Sequence, residues 1–259
     1  MDHGHPIPER ILETLVSGVR AVLGGDLVGI YLYGSSVSGG FDPGVSDLDV
    51  VVVTSAEVEA IDLAGLEQLQ LDIVSRHAEW SDRLEIVYIG WTTLQSFRTS
   101  TGSLAVISPG EPFHVVGGVA EWLQNWYLVR ETGVTLYGVA AADVIPPIAR
   151  VEFVTAVVRY ADWLRKQNHD DLGPGSLAYA VLSLCRALWT VRTGLPCAKR
   201  EAAAWTRQRM PEWAWLIDAA LRCRMSRGRT GFDDEQTRTA AQRFIGRLAD
   251  EITGAQPCS

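Results

Sequence analysis

Residues 27–53 read LVGIYLYGSSVSGGFDPGVSDLDVVVV, two apolar runs on either side of a turn rich in glycine and serine. Leu27 to Tyr33 is β-branched and aromatic, Gly34 to Gly40 is turn chemistry, and Leu48 to Val53 is a second apolar run, so two buried strands are expected around a glycine-rich crossing. Asp47 and Asp49 open the second run. Side chains alternate along a strand, which turns both carboxylates to one side while Leu48 points into the core. Two carboxylates at that spacing repel each other and are hard to desolvate unless a divalent cation sits between them. Oxygen ligands that leave positions for water and phosphate are what Mg²⁺ takes in phosphoryl-transfer sites. The turn Gly34-Ser35-Ser36, following a strand and opening a short helix, can offer backbone N–H groups and a hydroxyl to phosphate oxygens. Alone it also reads as a tight strand-to-helix connection; its pairing with Asp-x-Asp gives it meaning.

Upstream, Ile11, Leu12, Leu15, Val16, Val19, Val22 and Leu23 recur at helical spacing, which predicts an amphipathic helix over Pro8 to Leu23, ended by Gly24-Gly25. Downstream, Glu57 to His77 resumes the helical period. Arg83 to Ile89 reads as a third strand and Phe113 to Val116 as a short further one. Glu85 interrupts the apolar residues of the third strand, and a carboxylate there is costly unless it serves a site. Two roles are open to it: a third ligand in a two-metal site, or the general base that takes the proton of an attacking hydroxyl. A solvent-facing edge-strand glutamate is the alternative.

After Gly138 and Pro146-Pro147 the apolar pattern is helical only, in segments near 148–167, 176–193, 199–209, 212–225 and 234–252. The expected organisation is an α/β domain over 1–147, a mixed sheet with flanking helices, and an all-α helical bundle over 148–259, hinged at the proline pair. Neither repeats nor low-complexity segments occur.

Composition narrows the function classes. With 47% hydrophobic and 21% charged residues in 259, the chain is globular. No stretch approaches the ~18 apolar residues of a membrane span, and Met1 to Arg10 carries no apolar leader core, so a cytoplasmic protein without membrane contact is expected. Cys185, Cys197, Cys223 and Cys258 show neither CxxC spacing nor a histidine at ligand distance, and are read as reduced thiols. The net charge of −8 divides unevenly: residues 1–147 hold 19 Asp/Glu against 6 Arg, and residues 148–259 hold 12 Asp/Glu against 17 Lys/Arg. One lobe can then concentrate cations while the other supplies counter-charges to an anion such as a triphosphate; solvated surface is the alternative. A nucleic-acid partner would call for a basic groove, which the acidic lobe lacks.

Gly34-Ser35 followed by Asp47-x-Asp49 resembles the polymerase-β-like nucleotidyltransferase signature, and the whole layout resembles the aminoglycoside 3''- and 9-adenylyltransferases that act on streptomycin and spectinomycin. Leu84-Glu85-Ile86-Val87 is similar to that family's strand bearing the catalytic carboxylate, and Val134-Thr135-Leu136-Tyr137-Gly138 to its interdomain segment. Leu184-Cys185-Arg186 with Thr193-Gly194 and Lys199 is similar to its ATP-binding region in the helical domain. The resemblance implies that Asp47 and Asp49 hold magnesium, two ions with Glu85 beside them, and that Glu85 acts as base toward the acceptor hydroxyl. Gly34, Ser35, Ser36 and Ser46 would belong to the nucleotide-binding set, while Arg186 and Lys199 would neutralise the triphosphate of ATP.

The implied reaction is in-line attack of an acceptor hydroxyl on the α-phosphorus, with release of pyrophosphate. The implied acceptor is a small cationic, aminoglycoside-like antibiotic, and the implied protein is a monomer or weak dimer. Asp170 or Asp171 can bind an ammonium group of the acceptor, or serve as solvated loop acids. Nine Trp, scattered over the helices, suit core packing. Two other functions remain open: a nucleotidyltransferase with another small-molecule or protein acceptor, and a silent, antitoxin-like nucleotide-binding module. Retention of all three carboxylates speaks against the second.

Overall fold

The computed structural model describes residues 7–169 and 172–255. Its backbone contacts divide the chain into two compact units, Met1–Pro147 and Ile148–Ser259.

In the first unit, the periodic apolar residues form helix α1 (Glu9–Leu23), which Gly24 ends at φ 53°. Then come β1 (Leu27–Leu32), β2 (Leu48–Thr54), α2 (Leu63–Arg76), β3 (Leu84–Gly90), the short α3 (Trp91–Gln95), β4 (Leu104–Ile107), β5 (His114–Val116), α4 (Leu123–Thr132), β6 (Val134–Gly138) and the short α5 (Ala141–Val144). The six strands make one sheet in the order β5-β4-β3-β2-β1-β6. It is mixed: β2 and β3 run parallel, and the other neighbours antiparallel. Parallel neighbours need a crossover, and α2 supplies it. That helix starts later than the Glu57 expected from its period. Asp62 accepts a hydrogen bond from the Gly65 N–H at 2.9 Å and so caps α2, while Val58–Ala60 forms a separate 3₁₀ turn.

Alternation along the central strands sorts their residues between the two faces. Leu48, Val50 and Val52 of β2 and Leu84, Ile86 and Tyr88 of β3 pack in one cluster with Ile11, Leu15 and Val19 of α1 and Leu66 and Ile73 of α2. The odd-numbered residues of both strands, Asp49 and Glu85 among them, therefore turn to the other face. Val51, Val53, Val87 and Ile89 on that face are buried as well, which explains why β2 reads as an unbroken apolar run after Asp49.

Two strands and three helices escaped the sequence reading: β4, β6, α4 and the short α3 and α5. Val134–Gly138, expected as an interdomain segment, is a strand of the sheet itself, paired antiparallel with β1 from Gly29↔Gly138 to Leu32↔Val134.

The second unit is helical: α6 (Arg150–Lys166), α7 (Pro174–Thr193), α8 (Lys199–Arg209), α9 (Ala214–Met225) and α10 (Glu235–Gly254), close to the five expected segments. Helix α7 packs against each of the other four. It is apolar nearly all round, as a helix enclosed by neighbours must be. Cys185 and Cys223 are buried free thiols and Cys197 is a half-buried one, with burial pushing Cys185 and Cys197 up to about 12; Cys258 lies outside the described residues. Indoles pack mostly against neighbouring rings, as Trp189 does on Trp205 with centroids 5.5 Å apart. Among the described residues no helix is long and apolar enough to cross a membrane.

Leu15 is fully buried between α1 and the sheet. Leu15→Ala should lower the unfolding free energy of the first unit by about 3 kcal/mol in urea denaturation, and a loss below about 1 kcal/mol would show that α1 does not anchor this core.

Candidate active site

Asp47 lies just before β2, Asp49 is its second residue and Glu85 the second of β3. The parallel register sets Asp49 directly beside Glu85. One carboxylate oxygen from each of the three acids lies within 4.8 Å of the other two, and all three side chains are half-buried. At that separation, with an effective dielectric of about 20, each pair of negative charges costs about 3.5 kcal/mol. A cation bound among them offsets that cost, and three carboxylates are the hard oxygen donors that suit Mg²⁺.

The glycine turn is built against this cluster. Gly34 has φ 73°, a left-handed conformation that side chains disfavour, and a Cβ added there would overlap the Asp49 carboxylate. The turn that was expected to cradle phosphate thus touches a proposed metal ligand directly, which joins the two halves of the sequence motif in space. Gly34–Ser36 forms a 3₁₀ turn, and the Tyr33 N–H donates to the Asp49 carbonyl at 3.0 Å, extending the β1–β2 ladder to the mouth of the site.

The serines of the motif differ in their surroundings. Ser36 is buried, and its hydroxyl donates to the Tyr33 carbonyl at 2.9 Å, so it stabilises the turn. Ser46 is buried too, its Oγ accepting from the Asp42 N–H at 2.9 Å, which closes the loop that delivers Asp47. Ser35 is half-buried in the turn.

Sequence reasoning passed over Arg83. Its guanidinium is buried and donates to the carbonyl of Ser46 at 3.0 Å and, through two nitrogens, to that of Glu79 at 3.1 and 2.6 Å.

A family model described as "Nucleotidyltransferase domain" matches residues 12–97, which contain the turn and all three acids. A second, "Aminoglycoside adenylyltransferase, C-terminal domain", matches residues 143–251. The chain belongs to the aminoglycoside adenylyltransferase family. Its fold also resembles the crystal structure of spectinomycin adenyltransferase AAD(9) from Enterococcus faecialis with ATP and spectinomycin. The TM-score is 0.69 at 18% identity over 95% of this chain and 99% of that one. A toxin–antitoxin structure with AMP-PNP aligns at a TM-score of 0.30 and 16% identity, over 59% of this chain and 88% of that one, a likeness too slight to carry an inference. As a member of this family the chain is a nucleotidyltransferase enzyme of the aminoglycoside adenylyltransferase type.

The two cations carried over from the family resemblance lie in the second unit, and there they share one surrounding. Arg186 is on α7 and Lys199 is the first residue of α8, both half-buried. The Lys199 ammonium lies 4.7 Å from the centre of the Tyr179 ring, and the Tyr179 hydroxyl accepts from that of Tyr160 at 3.0 Å. Burial, and then Tyr179, drives the Tyr160 hydroxyl far above the usual phenol range, while Arg186 and Ser183 pull it back. One polar patch therefore links both cations. Tyr179, Ser183 and Arg186 are spaced i, i+4, i+7 on α7, the signal by which the sequence could have shown it. Asp170 and Asp171 lie outside the described residues.

The contact between Gly34 and Asp49 is open to a direct test. Gly34→Ala combines a disfavoured φ with an overlap on Asp49, so it should reduce nucleotidyl transfer by about 100-fold or more, measured as pyrophosphate release. Transfer within about threefold of the parent would show that Asp49 can move at no chemical cost.

Proposed function

We propose that this enzyme transfers AMP from ATP to a hydroxyl of a cationic, aminoglycoside-type acceptor such as streptomycin or spectinomycin, and releases pyrophosphate. The observation that carries the reading is the convergence of Asp47, Asp49 and Glu85 within 4.8 Å, against the Gly34 turn. Magnesium, two ions held by Asp47 and Asp49 with Glu85 beside them, would supply charge neutralisation at the triphosphate.

The remaining work falls to the chain's own groups. Ser35 and the backbone N–H groups of the Gly34 turn bind phosphate oxygens, with Ser36 and Ser46 keeping the turn and the Asp47 loop in shape. Glu85 accepts the proton of the attacking acceptor hydroxyl, as its place beside Asp49 allows. Arg186 and Lys199 bind the leaving pyrophosphate, a role that suits two half-buried cations sharing one patch.

The choice of acceptor rests on three supports: family membership, the ATP and spectinomycin of the AAD(9) structure, and charge. The first unit's 19 Asp/Glu against 6 Arg attract a polycation and repel nucleic acid.

The decisive experiment supplies labelled ATP with Mg²⁺ and a panel of streptomycin, spectinomycin, other aminoglycosides, tRNA and common metabolites. AMP should appear on an aminoglycoside, and labelling of tRNA or a metabolite alone would replace the acceptor. ATP binding in calorimetry without transfer to any acceptor would favour the silent module. Asp49→Asn should lower turnover roughly 1000-fold, about 4 kcal/mol of transition-state stabilisation, and near-normal turnover in that variant would refute the metal assignment.

A further inference from the structure

Arg83 stands immediately before β3 and is only 5% exposed, an unusual position for a guanidinium. Taking a cation out of water is costly unless it is hydrogen-bonded and paired. Here its three bonds go to two backbone carbonyls, those of Glu79 and Ser46, and its guanidinium carbon lies 4.1 Å from the centre of the Trp80 ring. Burial lowers its pKa, and the charges of Asp47 and Glu79 act in the opposite sense.

The geometry of these bonds is specific. Ser46 directly precedes Asp47, and Arg83 is two residues before Glu85. The backbone carbonyl of Arg83 also accepts from the Leu48 N–H at 2.7 Å, between the two aspartates. One residue therefore fastens the entry of β2 to the entry of β3 through both its side chain and its main chain. Those are the two points from which the three acids project.

We propose that Arg83 is a positioning residue of the acidic cluster: its guanidinium ties the Asp47 loop to the start of β3 and so sets the spacing at which Asp47, Asp49 and Glu85 take up a divalent cation. It also places a positive charge behind Asp47, which offsets part of the repulsion among the acids. Lysine keeps the charge but is a point donor on a flexible stem, and it cannot span both carbonyls in the manner of the planar fork. The inference rests on the reading of the acids as a metal site.

The test is Mn²⁺ binding to the full chain, followed by the electron paramagnetic resonance of free Mn²⁺, with thermal melts of each variant alongside. The parent should bind Mn²⁺ and Asp49→Asn should not. Arg83→Lys should remain folded yet bind Mn²⁺ about tenfold more weakly, with kcat lowered and KM for the acceptor little changed; Arg83→Met should be weaker still. A lower melting temperature with parental Mn²⁺ affinity overturns the positioning role and leaves Arg83 a stabilising residue, with the metal reading intact. If the parent itself binds no Mn²⁺, the metal reading falls and takes this inference with it. Should Arg83→Met fail to fold, Arg83→Lys decides, and failure of both to fold also overturns the assignment.

Discussion

Three like charges held within 4.8 Å of one another are the constraint on which the first unit turns. Carboxylates this close repel one another, and a stiff support holds them together better than a loop, in which closure and side-chain ordering cost free energy of their own. The fold meets it with the stiffest local device available, a parallel strand pair in the middle of a six-stranded sheet. β2 and β3 are buried on both faces, so neither can tilt to spread Asp49 from Glu85 without opening a packed core. Only Asp47 precedes the ladder, and there the chain adds separate bracing: the Ser46 hydroxyl under the Asp42 N–H and the Arg83 fork on the Ser46 carbonyl.

The same constraint explains the glycine at the turn. With Asp49 fixed by the ladder, the loop leaving β1 must pass against its carboxylate, and only a residue without a Cβ and tolerant of φ 73° can do so. The contact between Gly34 and Asp49 therefore constrains how the loop between them can run. Residues 37–46 fill that interval with turns closed by Asp42 and Ser46.

What was legible in the sequence follows from how far the responsible interactions reach along the chain. The parity of Asp47 and Asp49, the glycine turn, and a carboxylate set among the apolar residues of β3 are local patterns, and they point to the cluster by themselves. The five segments of the helical unit were equally legible, since each carries its own 3.6-residue period and its own Gly or Pro stop. β6 was not, because its five residues, none of them buried, are made a strand by pairing with β1 some hundred residues earlier. β4 failed for a similar reason, four residues stabilised by neighbours on either side. Arg83 was hidden more deeply: in sequence it is a charge at the edge of a strand, and the bond that ties it to the site goes to the Ser46 carbonyl, 37 residues earlier.

Two local effects on a cation oppose each other at Lys199. It is the first residue of α8, where the positive end of the helix dipole disfavours a cation by about 0.3–1 kcal/mol. The Tyr179 ring beneath its ammonium returns about the same amount, 0.5–1 kcal/mol for a cation–π contact near solvent. Arg186 acts on the same patch through Tyr160, so two side-chain cations and a helix N-terminus contribute positive potential to one surface. Positive potential of that kind attracts an anion, which supports the phosphate-binding role proposed for both cations.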